Sequence, residues 1–269
     1  MRFLCGLTLV LVLVSGLESQ QPADQTEPTV GQPGKDVMWV PTPPELVEKM
    51  LDMADVTPAD VVMDLGSGDG RTVIAAAARG ARAIGVEYEA GLVELSQRRA
   101  VETSVADRVT FVAADLFRVD LSTATVITMF LTPDLNLELR ARLLDLEPGT
   151  RIVSNTWDME DWAADEVAVI DPCPGWCTSL LWYVPAKVEG TWRSARGELV
   201  LEQQFQVVSG TLRAGGEVIP IGDGRLRGDQ ISFQAGGARY SGRVVGLAID
   251  GTVRTGGRTF GWTATRVDR

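Results

Sequence analysis

The apolar residues of this chain follow two patterns that meet near Pro185. Before it, short apolar runs alternate with longer amphipathic ones. The runs at 61–65, 83–87, 109–113, 125–130 and 151–155 are too short for helices and predict buried strands. Between them, residues 71–79, 90–103 and 136–146 carry a helical pattern. An alternation of this kind predicts right-handed βαβ crossovers and a mostly parallel, doubly wound α/β sheet with helices on both faces. An earlier helix opens at Pro43-Pro44 and runs to about Met53, with Leu46, Val47, Met50 and Leu51 on one face. Residues 166–170 and 179–184 read as two strands with no helix between them.

After Pro185 no helical period is visible. Short alternating runs at 199–207, 216–221, 230–234, 238–245, 247–249 and 260–266 are punctuated by glycines. They predict a small antiparallel β-domain, a barrel or a sandwich. Trp192 and Trp262 either line a ligand pocket there or fill its core. At 269 residues the chain is long enough for two such units. The expected division is a leader over 1–19, a flexible Gln/Pro/Thr/Gly-rich linker over 20–36, an α/β domain over 37–185 and the β-domain over 186–269. A truncation near Val184 is expected to keep the whole α/β sheet.

The leader has Arg2 at its start, an apolar stretch from Phe3 to Val14 and small residues from Ser15 to Ser19. That reads as an export signal, or as an uncleaved anchor that would be the chain's only contact with a membrane. Either way the body is expected outside the cytoplasm, periplasmic or secreted. Cys173 and Cys177 are then placed to close a small disulfide loop in an oxidising compartment. A metal site is poorly served, because the chain holds no His and no second cysteine pair. A redox motif would need C-x-x-C rather than C-x-x-x-C.

A formal net charge of −11 argues against nucleic acid as the main partner, since phosphate binding needs a basic surface. The charge is uneven. The stretch after Lys187 is mildly basic, either a face for an anionic surface or simply solvated β-structure.

Chemistry concentrates at the run Asp64-Leu65-Gly66-Ser67-Gly68-Asp69-Gly70-Arg71, between the first sheet strand and the helix after it. The second strand ends on Glu87, where a carboxylate can accept two hydrogen bonds from a ribose diol. A nucleoside cofactor is expected. A dinucleotide fingerprint, G-x-G-x-x-G, fails because Arg71 occupies its third glycine position. Asp64 and Asp69 would also repel a pyrophosphate, whereas they suit an ammonium and a sulfonium. The physical reading favours S-adenosylmethionine (SAM) over NAD.

These residues resemble the cofactor motifs of the class I, seven-stranded SAM-dependent methyltransferases, from about Val40 to Val184. DLGSGDGR and GVE resemble the first two motifs. Ala114-Asp115-Leu116 resembles the third, in which the resemblance implies that Asp115 meets the adenine amino group and the next backbone N–H meets the ring. Trp39-Val40-Pro41-Thr42-Pro43-Pro44 resembles a segment of the lysine-methyltransferase branch related to the ATP synthase c-subunit enzymes. The resemblance implies a final antiparallel hairpin and a cofactor site of Thr42, Asp64, Gly66, Ser67, Gly68, Asp69, Gly70, Glu87, Tyr88, Asp115, Leu116 and Phe130. Trp39 and Thr42 are expected to close over the methionine end.

Methyl transfer from a sulfonium is an in-line displacement in which the protein aligns the acceptor and excludes water, so a strong base is optional. The acceptor loop is expected at Phe130-Leu131-Thr132-Pro133-Asp134-Leu135-Asn136. Asp134 or Asn136 would orient an amine, unless Asp134 caps the helix that follows. The acceptor is a protein lysine or a small molecule. The competing reading is a non-catalytic nucleoside-binding protein whose β-domain carries the function. Export leaves one tension, because SAM is made in the cytoplasm.

Overall fold

The structure is a computed structural model that describes residues 27–173 and 175–267. The leader over 1–19 and the first part of the linker lie outside the described residues.

The α/β half runs α1 (Pro44–Met53), β1 (Val61–Leu65), α2 (Arg71–Ala78), β2 (Arg82–Glu87), α3 (Ala90–Glu102), β3 (Val109–Ala113), β4 (Val126–Met129), α4 (Pro133–Leu144), β5 (Arg151–Asn155), β6 (Glu166–Val169) and β7 (Thr178–Tyr183). The seven strands form one sheet in the order β3-β2-β1-β4-β5-β7-β6. The first five are parallel, while β7 runs antiparallel to both β5 and β6. This is the expected α/β class with its antiparallel final hairpin.

Alternation along the strands gives the sheet two buried faces. Val62, Val126, Val153 and Leu181 pack on one side with Leu46, Met50, Val73 and Ala76 of α1 and α2. Met63, Ile127, Ile152 and Trp182 pack on the other with Leu139 and Leu143 of α4 and with Trp162. Helix α4 begins at Pro133, a turn before its expected start, because a proline at the first helical position forfeits no bond.

The rest of the chain is all-β. Strands β8 (Gly190–Ser194), β9 (Gly197–Gln204), β10 (Val207–Ala214), β11 (Glu217–Pro220), β12 (Gly222–Arg227), β13 (Gln230–Ala235), β14 (Ala238–Val245), β15 (Ala248–Thr255) and β16 (Arg258–Arg266) form an antiparallel sheet. Pairing of β9 with β10 closes eight of them into a barrel, and β11 folds back as a hairpin on β10. Closure leaves the barrel strands without free edges. Trp192 and Trp262 fill the barrel core, and Trp262 also lines a shallow open depression with Arg196, Asp250 and Phe260. Trp192 donates its indole N–H to the Val188 carbonyl at 2.8 Å, and Trp262 meets the rings of Phe233 and Tyr240.

Two differences from the sequence reading affect function. The run at 199–207 is not one strand. It breaks at Phe205, whose φ of 52° makes a tight turn without glycine. The break projects Phe205 into the α/β half, where it stacks on Trp162. The end of the supposed linker is also structured. Residues Gly31 to Trp39 form a small loop, closed by Gly31 N–H to Trp39 O and Trp39 N–H to Gln32 O, both at 2.9 Å. This loop lies over the carboxyl edge of the sheet as a strap.

Candidate active site at the carboxyl edge of the sheet

The ends of β1, β2, β3 and β4 and the strap line a cleft open to solvent. Ligands of open α/β sheets bind at this edge, where the strand order reverses between β1 and β4.

Glu87 organises the first part of the site. One carboxylate oxygen accepts the Gly68 N–H at 2.8 Å and the other accepts the Glu89 N–H at 2.9 Å. The tip of β2 thereby holds the glycine loop of β1. A carboxylate has about four lone-pair sites, so both oxygens keep capacity for a diol. Gly68 is required by contact as well as by its φ of 53°: a Cβ there would stand 2.8 Å from the Trp39 indole nitrogen. The strap packs directly on the loop at this point.

Asp64 lies at the end of β1, buried, and accepts the Thr128 hydroxyl at 2.7 Å from the register position opposite it on β4. Burial pushes its carboxyl up to about 7. The Glu87 and Asp69 charges add to that, against the hydroxyls of Thr128 and Thr72. Asp115, after β3, accepts the Phe117 N–H at 2.9 Å and pairs with Lys35 of the strap at 3.1 Å, and these two contacts hold its carboxyl below the usual range. Lys35 also stands 4.6 Å from the centre of the Tyr88 ring.

Most residues expected at the site line the cleft: Thr42, Asp64, Gly66, Ser67, Gly68 and Asp69 on one wall, with Glu87, Tyr88, Asp115, Leu116 and Phe130 beyond them. Others do not serve as expected. Gly70 caps α2 and does not line the cleft. Its φ of 79° and the 2.8 Å that a Cβ would leave to Ser96 make it a packing glycine. Asp69 turns its carboxylate away into Arg71 and Arg99. Their guanidinium groups hold it below the usual range, against the cost of its burial. It therefore offers a cation no free charge, and the preference for a cationic ligand rests on Asp64 and Glu87. The Ser67 hydroxyl, buried without a partner, points back toward Gly85.

Neither acceptor-side candidate lines the cleft. Asp134 is exposed in the first turn of α4, and the N-cap position is Thr132 rather than Asp134. Asn136 is fully buried, and its amide donates to the carbonyls of Trp157 and Asp158 at 3.1 and 3.2 Å. Its amide nitrogen thereby holds the turn after β5. The sequence reading missed the strap residues Lys35 and Asp36. It also missed Asn155, whose amide donates to the Thr42 hydroxyl at 3.2 Å.

The donor and acceptor set fits SAM: a carboxylate for a ribose diol, a second for an adenine amine, and a buried acid for a cation. The family model of the ANTKMT methyltransferase domain matches residues 64–166. A protein-lysine N-methyltransferase of Saccharolobus islandicus (strain REY15A) is 38% identical over 138 residues, 50% of this chain and 86% of that protein. The mouse adenine nucleotide translocase lysine N-methyltransferase is 35% identical over 126 residues, 46% of this chain and 54% of that relative, so only about half of that relative's length is matched. A crystal structure of an RNA methyltransferase from Salinibacter ruber, in complex with S-adenosylhomocysteine (SAH), is 44% identical, covers 55% of this chain and 96% of that one, and has a TM-score of 0.53. The chain belongs to the class I SAM-dependent methyltransferases. Within them it stands near the lysine-methyltransferase branch, and its cofactor is SAM.

The bound cofactor supplies an activated methyl group. The residues placed to hold it are Glu87, which would accept from the diol, Asp115, which would meet the adenine end, and Asp64, which would face the cationic end, with the strap packed over the glycine loop. The pH dependence of binding follows from Asp64. Native Asp64 keeps its proton up to about pH 7, whereas an unfolded Asp releases it near 4. Between those values the native state binds more protons, so the ligand-free protein loses stability as pH rises through that window. A ligand with an ammonium group needs Asp64 ionised. Its affinity is expected to rise through the same window, by up to about tenfold per pH unit, and to level off above about 7. Calorimetric titration with SAH from about pH 5.5 to 8.5 measures this. An identical slope in Asp64→Asn would show that another group is responsible.

Proposed function

We propose that this methyltransferase acts on the ε-amino group of lysine in a protein, and that it does so outside the cytoplasm. The observation that carries the lysine reading is the 38% identity to a protein-lysine N-methyltransferase across 86% of that relative. The Salinibacter relative is described as an RNA methyltransferase. Charge supports the lysine reading: a net −11 opposes approach to a polyanion and leaves a cationic acceptor unopposed. No nucleic acid is needed as a partner. A small amine is the lesser alternative, because the cleft is open rather than closed around one ligand.

Export is supported by the apolar leader at Phe3 to Val14 and by the disulfide that joins Cys173 to Cys177. An exported enzyme also requires SAM beyond the inner membrane.

One experiment tests both parts. The full chain is produced in a bacterium, the periplasmic and cytoplasmic fractions are separated, and each is incubated with methyl-labelled SAM and a lysine-rich protein extract. Transfer of label to lysine by the periplasmic fraction is expected. Label in RNA instead would overturn the acceptor. Activity confined to the cytoplasm, with the leader intact and both thiols free, would overturn the location.

A further inference from the structure

Three aromatic rings stand at neighbouring strand ends, on the side of the glycine loop away from the adenine end. Phe130 follows β4 and lines the cleft. Trp157 follows β5, and Trp176 precedes β7. The sheet order β1-β4-β5-β7 places them side by side beyond the glycine loop. Trp176 is the hub, with ring centres 5.9 Å from Phe130 and 5.8 Å from Trp157, both tilted. Phe130 adjoins Leu131, whose methyl lies 3.1 Å from where a Cβ on Gly66 would stand, so the cluster reaches the mouth of the glycine loop.

Trp176 looks like a residue placed for a ligand rather than for the core. It is 46% exposed. It sits at φ 57°, a conformation disfavoured for a bulky side chain. It lies within the turn that the Cys173–Cys177 disulfide closes, which can hold that conformation. Several other rings carry one of the chain's own cations, as Lys35 on Tyr88, Arg140 on Phe205, Arg227 on Tyr183 and Arg266 on Trp192. Among the described residues no such contact falls on Phe130, Trp157 or Trp176.

We propose that Phe130, Trp157 and Trp176 form an aromatic enclosure at the acceptor end of the cleft that binds an alkylammonium group, with the disulfide-closed turn holding Trp176 in place. The inference rests on the lysine reading above and deepens it. Ring faces attract a cation without counting its N–H bonds, so the enclosure takes lysine and its methylated forms alike. Phe130, which lines the cleft, joins the enclosure to the cofactor site.

The test uses the full chain with its disulfide intact. The probe is Nα-acetyl-Nε-trimethyl-lysine amide, compared with its neutral isostere in which carbon replaces the quaternary nitrogen. Both are titrated by tryptophan fluorescence in the presence of SAH. The charged probe is expected to bind at least about fivefold tighter than the neutral one. Trp176→Ala is expected to lose that margin, Trp176→Phe to keep part of it, and the double variant Cys173→Ser/Cys177→Ser to weaken the probe while leaving SAH affinity unchanged. Equal binding of the two probes, no binding of either, or an unaffected Trp176→Ala would overturn the enclosure. Binding that depends on Trp176 without methyl transfer to any lysine would support the enclosure and sink the lysine reading alone.

Discussion

Replacing Glu87 with Ala is expected to lower SAM affinity by about 2 kcal/mol, roughly thirtyfold. Two losses add up. A ribose diol would face a site with no acceptor, and a hydrogen bond to a charged group is among the stronger ones. The Gly68 and Glu89 N–H groups also lose their partner, so the glycine loop is no longer tied to the tip of β2. Glu87→Gln separates these effects. Its amide has one acceptor oxygen, so it can hold one N–H and part of the diol, and an intermediate affinity is expected. Calorimetry with SAH reads the binding, and thermal unfolding without ligand reads the loop's own share. Equal affinity in wild type and Glu87→Ala would remove Glu87 from the cofactor site.

What could be read from the sequence was what neighbours in the chain determine. Each of the first five strands was visible as a short apolar run, because parallel strands buried on both faces carry little else; β3, at the sheet edge and mostly exposed, was visible by its β-branched and aromatic residues alone. Glu87 and Asp115 were visible because strand ends fix where the next side chain stands. Direction was harder. Asn136 lies in the acceptor loop by sequence, but the helical phase set by Pro133 turns it inward beneath the sheet. Asp69 lies within the glycine motif, yet Arg99, on a helix thirty residues further along, claims its charge. Lys35 meets Asp115 across a separation of 80 residues, and nothing in the polar composition of 20–36 announces that contact. Phe205 turns the chain with a left-handed residue that is neither Gly nor Asn, so the break between β9 and β10 carries no turn signal.

Phe205 also decides what happens when the barrel is removed. A chain ending at Val184 would keep all seven strands of the α/β sheet, and composition alone marks Pro185 as a clean boundary. The contacts oppose that. Phe205 stacks on Trp162 with centres 5.8 Å apart, and the Arg140 guanidinium lies 5.6 Å from the Phe205 ring centre. The Gln206 amide donates to the Ala163 carbonyl at 2.6 Å. Arg225 pairs with Asp165 at 2.7 Å, and Arg227 reaches both Glu166 and the Tyr183 hydroxyl. Gly228 sits so close to Gly149 that a Cβ there would stand 2.8 Å from its Cα. Removing the barrel exposes the Trp162 face and takes the Arg225 cation away from the Asp165 carboxylate. Loss of the Phe205 packing alone costs about 2–3 kcal/mol, and the lost Gln206 and Arg225 hydrogen bonds add about 1 kcal/mol each. The truncated chain is therefore expected to lose several kcal/mol, to melt about 10 °C or more below the full chain and to aggregate. The soluble remainder should bind SAH normally, because the cleft opens at the carboxyl edge, away from the Gly149 and Val184 end where the barrel docks. Phe205→Ala in the full chain isolates the packing share, with about 2 kcal/mol expected by denaturant unfolding. A truncated protein that melts with the full chain and stays monomeric would show that these contacts are incidental and that the barrel is only tethered.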